Sequence, residues 1–202
     1  MAMRLAVLTC LIMLGGLCGG APEALAGTKV LVTTRSYDIA GATGAALVEA
    51  MNRKGPKHGF MTRAIADTSY VVNWKLDVDR ADGMCRLRGA DGTMELTYTF
   101  PRLASPPKPE LERRWRRFLA GVRAHEHHHG RIAKAMMRAT DKSIAGLKLA
   151  DNWFCTATHR EARRRIDTVY AQYEAKQNAF DAREHRDGGH VDRLVNALMG
   201  KN

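Results

Sequence analysis

Cysteine is scarce in this chain: Cys10, Cys18, Cys85 and Cys155 are the only four, and no two of them stand as Cys-x-x-Cys. A dithiol redox motif and a cysteine-built zinc ribbon therefore have no basis in the sequence. The apolar stretch at residues 5–17 falls short of the ~20 residues a membrane-spanning helix needs, and no transmembrane segment is expected beyond it. Internal repeats and long low-complexity linkers are missing too, so residues 27–202 suit a single domain. Acidic residues are few, 21 against 32 Lys and Arg, which gives a formal net charge of +11. Such a balance attracts anionic partners, for instance envelope polymers or membrane surfaces. The arginine runs at Arg113, Arg114, Arg116 and Arg117 and at Arg163, Arg164 and Arg165 read as solvated helix faces. With no basic-aromatic recognition motif, specific nucleic-acid binding is not expected.

The N-terminus has the organisation of a cleavable secretory leader: Met1-Ala2-Met3-Arg4, the apolar core, then Ala24-Leu25-Ala26 before Gly27. Cleavage is predicted after Ala26, which makes the protein periplasmic or secreted. Leu17 is a bulky neighbour for Cys18 and suits lipoprotein processing poorly. Loss of the leader leaves Cys85 and Cys155, an even number in an oxidising compartment, and these are predicted to pair.

Periodicity divides the remainder into a sheet half and a helical half. A short β-prone run begins near Lys29, and residues 41–53 have a helical pattern that stops at Gly55-Pro56. Tyr70, Val72, Trp74, Leu76 and Val78 alternate with polar residues, as do Met94, Leu96, Tyr98 and Phe100 further on. Asp82-Gly83 and Asp91-Gly92 carry turn signals, so an antiparallel meander of three strands is expected. Pro101, Pro106, Pro107 and Pro109 then end the sheet. Helical spacing follows from Glu110 to about Leu149, again at about 158–183, and in a short tail at about 191–199. The expected class is α+β: an N-terminal antiparallel-rich sheet with one helix, then two long helices.

The first of these long helices carries the chemistry. Leu111, Trp115, Phe118, Val122, His125, His129, Ile132 and Met136 form its inward stripe, so two imidazoles interrupt an apolar face. At ~100° per residue they lie roughly 40° apart, whereas His127 faces away and His128 remains a possible substitute. Without a ligand, two inward histidines beside Val122 and Ile132 would need buried hydrogen-bond partners. The motif His125-Glu126-x-x-His129 instead fits Zn²⁺ bound by both histidines, with Glu126 as general base toward the water the metal activates. A catalytic zinc keeps three protein ligands and an open position. His185 is the first candidate for the third, His190 the second and Glu161 the third.

The chain resembles a bacterial family described as predicted secreted zinc-dependent proteases, domain of unknown function 922. The resemblance covers nearly all of the sequence after the leader. It rests on Tyr37-Asp38-Ile39-Ala40-Gly41, Gly55-Pro56, the strand at 68–79, Cys85, Pro101, Trp115, Phe118, the His125–His129 motif, Cys155 and Phe180-Asp181. Family members tend to follow a Tyr-Asp pair with Thr-x-His-Gly, whose histidine is the natural third ligand. This chain has Phe180-Asp181-Ala182-Arg183-Glu184-His185, without the threonine and with the histidine one place early. The resemblance implies a zincin-like domain in which a sheet edge within residues 70–100 pairs with an extended peptide or protein substrate.

A zinc-dependent peptidase is thus the leading expectation. The alternatives are a periplasmic zinc-binding protein without turnover and an envelope-interaction domain using the basic helices. Glu126 discriminates against the first, since a pure binder needs no carboxylate beside a ligand. The second predicts four protein ligands in a closed site.

Overall fold

A computed structural model describes residues 27–58 and 62–201; the expected leader, with Cys10 and Cys18, lies outside the described residues. Strict alternation makes β4 (Asp67–Ala81), whose Tyr70, Val72, Trp74, Leu76 and Val78 turn toward the core while Val71, Asn73, Lys75 and Asp77 face outward. Asp82 and Gly83, with φ of 53° and 74°, form the two-residue turn that feeds β5 (Met84–Leu103), antiparallel to β4. Both residues lie left-handed, as the right-handed twist of a hairpin favours. Along the other side of β5 run β1 (Thr28–Ile39), parallel to it, and further back β6 (Lys148–Ala150), antiparallel to its first residues. The sheet is therefore mixed, with β5 central and β4 an edge strand among the described residues.

The expected turn at Asp91-Gly92 does not form, and β5 runs straight through it as one strand of 20 residues. Packing decides the matter. A Cβ on Gly92 would stand 2.6 Å from the Trp74 ring and 2.9 Å from Met137 Cε, so glycine is there to admit both.

Six further elements cover the sheet or its rim. Thr43 caps α1 (Gly44–Lys54) by accepting from the Ala46 amide, and a small ladder of β2 (Lys57–His58) and β3 (Thr62–Arg63) follows. Pro109 opens α2 (Pro109–Ile144), with Glu110 and Glu112 in the first turn, where the helix dipole favours negative charge. The expected helical stretch to about Leu149 stops at Ile144, because Gly146 at φ 68° turns the chain back and β5 captures it as β6. The last two elements are α3 (Thr156–His185) and α4 (His190–Met199).

The inner sheet face, through Met94, Leu96, Tyr98 and Phe100, packs on Trp115, Phe118, Met136 and Met137 of α2. Beside it α3 runs antiparallel: Arg165 bonds the Ser143 carbonyl 3.0 Å away at one end, and Asp181 meets His129 at the other. A smaller cluster of Leu87, Ala90, Ile144, Leu147 and Ala162 lies toward the start of α3. There Cys85 and Cys155 form the expected disulfide across 70 positions of sequence, fixing β5 to the entry of α3. No helix of the described residues is long and apolar enough to cross a membrane.

On the chain-entropy model a bridge of this span stabilises the fold by about 4 kcal/mol. The Cys85→Ala, Cys155→Ala double variant is expected to lose about that much unfolding free energy in a urea titration. Mass mapping of the unreduced protein should recover the two cysteines in one linked peptide.

Candidate metal centre

All but one residue of the α2 stripe are buried; Ile132 is half-buried. His125 and His129 are 7% and 9% exposed, one turn apart, and each directs its Nε2 into the cleft between α2 and α3. Their Nε2 atoms stand 3.1 Å apart. A third donor comes from α3: Asp181 Oδ1 lies 2.8 Å from His129 Nε2 and 3.3 Å from His125 Nε2. Three Lewis-basic atoms thus form a triangle with edges of 2.8, 3.1 and 3.3 Å. Donors held 2.0–2.1 Å from a tetrahedral zinc stand roughly 3.3 Å from one another, so the triangle is close to one face of that polyhedron.

The fourth donor is His185, one turn beyond Asp181, with Nε2 3.8 Å from Asp181 Oδ1. Donor atoms of His125, Asp181 and His185 all lie within 4.8 Å of one another, a grouping able to hold a metal ion. Each long helix therefore contributes an i, i+4 pair, and the antiparallel packing brings the pairs face to face.

Of the three candidates for a further ligand, His185 reaches the pair and the other two do not. Glu161 is engaged with Arg164 and Arg165, about 2.7–2.8 Å away, and sits roughly 30 Å down α3 from Asp181. His190 begins α4, exposed, and does not line the cavity. His128, the possible substitute for His129, stacks on Phe180 at 4.0 Å between centroids and has its Nδ1 against Arg131. His127 faces the sheet, edge-on to Tyr98. Sequence reading missed Asp181, although the signal was present: Asp181 and His185 repeat on α3 the four-residue spacing of His125 and His129.

Around the donors, Gln177 grips His129 twice. Its Oε1 lies 2.6 Å from His129 Nδ1 and its Nε2 donates to the His129 carbonyl at 3.2 Å. An amide oxygen can only accept, so Nδ1 carries a hydrogen toward Gln177, and Nε2 is the nitrogen a metal would take. His125 Nδ1 is buried without a hydrogen-bond partner, and the Glu184 carboxylate stands 3.9 Å from it. Charge follows the same geometry. Burial raises the Asp181 pKa, but hydrogen bonds to His125 and His129 outweigh it and hold the carboxyl well below its usual range. Burial and the neighbouring His125 lower the pKa of His185, which keeps that imidazole neutral and able to donate a lone pair.

Glu126 is 7% exposed and borders the same cavity. Thr68 of β4 holds it: the hydroxyl lies 2.6 Å from Glu126 Oε2 and 3.0 Å from the Glu126 carbonyl. Burial pushes the Glu126 pKa up, against the opposing pull of Thr68 and the two histidines. The cavity measures about 800 Å³ and opens between the start of β4, α2, the end of α3 and α4. Val122, Ile65, Tyr70, Val191 and Val195 give it apolar walls, with Arg63, Asp67 and Asp192 at its polar margins.

The chain belongs to the family described as "Bacterial protein of unknown function (DUF922)", whose model matches residues 34–189. That span includes the four donors, Glu126 and both bridged cysteines. Neither a curated protein nor a solved structure matches the chain.

Replacing Gln177 by Leu removes the partner that fixes the His129 ring and its tautomer. At a site that takes zinc, the affinity measured by competition with a chelator is expected to fall about 10–100-fold while the circular dichroism spectrum stays unchanged.

Proposed function

We propose that this protein is an exported zinc-dependent peptidase. The observation that carries the reading is the triangle of His125 Nε2, His129 Nε2 and Asp181 Oδ1 at an open cavity that the buried Glu126 also borders. Donor chemistry fits the metal: two imidazoles and one carboxylate match the His₂-carboxylate sets of hydrolytic zinc. His125, His129 and Asp181 would hold Zn²⁺, and His185 stands beside them as the alternative third ligand or as a fourth. Bound there, zinc would supply Lewis acidity and a water acidified toward a pKa of about 7.

The chain's own residues account for the remainder. Glu126 would take a proton from the attacking water and deliver it to the leaving amine, and its raised pKa brings it nearer the range where a carboxyl does both. Thr68 would keep that carboxyl aimed into the cavity. The first residues of β4 lie on the free sheet edge beside Glu126, so an extended peptide could add there as a further strand. This sheet-edge-over-helix arrangement supports a zincin-like reading of the site.

His185 supports a second reading. With His125, His129 and Asp181 it makes four donors, which could close the coordination sphere and leave a zinc binder without turnover. Two variants separate the readings. Glu126→Gln should keep about one equivalent of zinc and lose activity on an unfolded protein substrate by about 10²–10⁴-fold. Asp181→Ala and His129→Ala should each lose zinc, and His129→Ala stability as well, since it leaves a cavity beside His125. A closed binder instead shows no hydrolysis in the zinc-loaded parent protein and loses zinc on His185→Ala.

A further inference from the structure

The other end of α3 carries a feature the metal centre does not explain. Trp153 and Phe154 are 75% and 78% exposed, the two most exposed large hydrophobic residues of the described chain. They sit side by side on the short turn between β6 and α3, roughly 40 Å along α3 from Asp181. This turn is rigid. The disulfide anchors Cys155 to β5, the Asp151 amide donates to the Gly83 carbonyl at 3.4 Å, and Asn152 accepts from the Phe154 amide at 3.0 Å. The Cys155 amide donates to the Asn152 carbonyl at 3.1 Å, so the Phe154 and Cys155 amides are both satisfied within the turn.

Cations stand on the elements that adjoin the pair. The Arg80 guanidinium lies over the Trp153 ring at 5.2 Å, Lys148 precedes the turn on β6, and Arg160 and Arg163 stand on the first two turns of α3; all four are exposed. Of the nearby acids, Asp151 is spent on the Thr158 amide and hydroxyl at 2.7 and 2.9 Å, and Asp79 pairs with Arg86 and Arg88. Two side chains cannot provide the ~800 Å² per partner of a stable protein interface. They do match what a bilayer surface takes: aromatic rings at headgroup depth and cations at the phosphates.

We propose that the turn at residues 152–155 is a membrane-surface anchor. Trp153 and Phe154 enter the headgroup layer of an anionic phospholipid bilayer, while Arg80, Lys148, Arg160 and Arg163 meet the lipid phosphates. Attachment through this turn is peripheral, and the candidate metal centre lies at the end of α3 away from the lipid. This inference does not depend on the peptidase reading.

The test uses the purified disulfide-bonded protein with vesicles of phosphatidylethanolamine and phosphatidylglycerol, and with vesicles of phosphatidylcholine alone. Co-sedimentation with the anionic vesicles only, weakened by salt and accompanied by a blue shift of tryptophan emission, is the expected result. The Trp153→Ala, Phe154→Ala double variant should lose about tenfold or more in partition coefficient, with its melting temperature and zinc content unchanged. Arg160→Glu with Arg163→Glu should lose the preference for phosphatidylglycerol. Equal partition of the aromatic double variant, or no binding to the anionic vesicles, overturns the proposal. So does self-association that the same variant abolishes without any vesicle binding, since the pair would then face a second copy of the chain.

Discussion

The contact on which the site depends is the one between His129 and α3. Gln177 and Asp181, one turn apart, take hold of the two ring nitrogens at 2.6 and 2.8 Å, so the imidazole is fixed from both sides. Everything around the cleft follows from this clamp. It sets the register of two antiparallel helices, and that register brings His125 and His185 within reach of Asp181. A slip of one residue along α3 would turn Asp181 away by ~100° and dissolve the cluster.

Polar side chains buried in a helix interface are costly unless each finds a partner. Here the cost is largely offset within the cleft, with one conspicuous exception in the unpartnered His125 Nδ1. A bound cation would take the three converging atoms together, each through a lone pair. The sheet contributes through its edge: Thr68 of β4 reaches across to Glu126, so the carboxyl is positioned by the sheet and the donors by the helices. Helix and sheet meet at the one place where acid–base chemistry and metal binding would have to cooperate.

The two ends of α3 have different characters. The C-terminal end turns Asp181 and His185 toward the cavity; the N-terminal end is bolted to β5 by a disulfide and displays aromatic and cationic groups outward. A rigid helix of 30 residues separates them. Surface attachment at one end would leave the cavity free for an extended substrate at the other.

Much of this was determined by the sequence alone. Alternation along β4, the inward stripe of α2, the Asp82-Gly83 turn and the pairing of Cys85 with Cys155 are all local or counting properties, and local patterns survive folding when packing agrees with them. His125, Glu126 and His129 belong with these, because a four-residue spacing on one helix already implies a shared face. What only the tertiary structure decided involves groups far apart in sequence. Gly92 reads as a turn until Trp74 and Met137 are seen to need its missing side chain. The choice among His185, His190 and Glu161 could only be ranked, and Asp181 was overlooked, since the partner of a helix face depends on the register of a second helix 48 to 60 residues away. Spacing within an element sets which donors share a face; only packing between elements decides whose donors they meet.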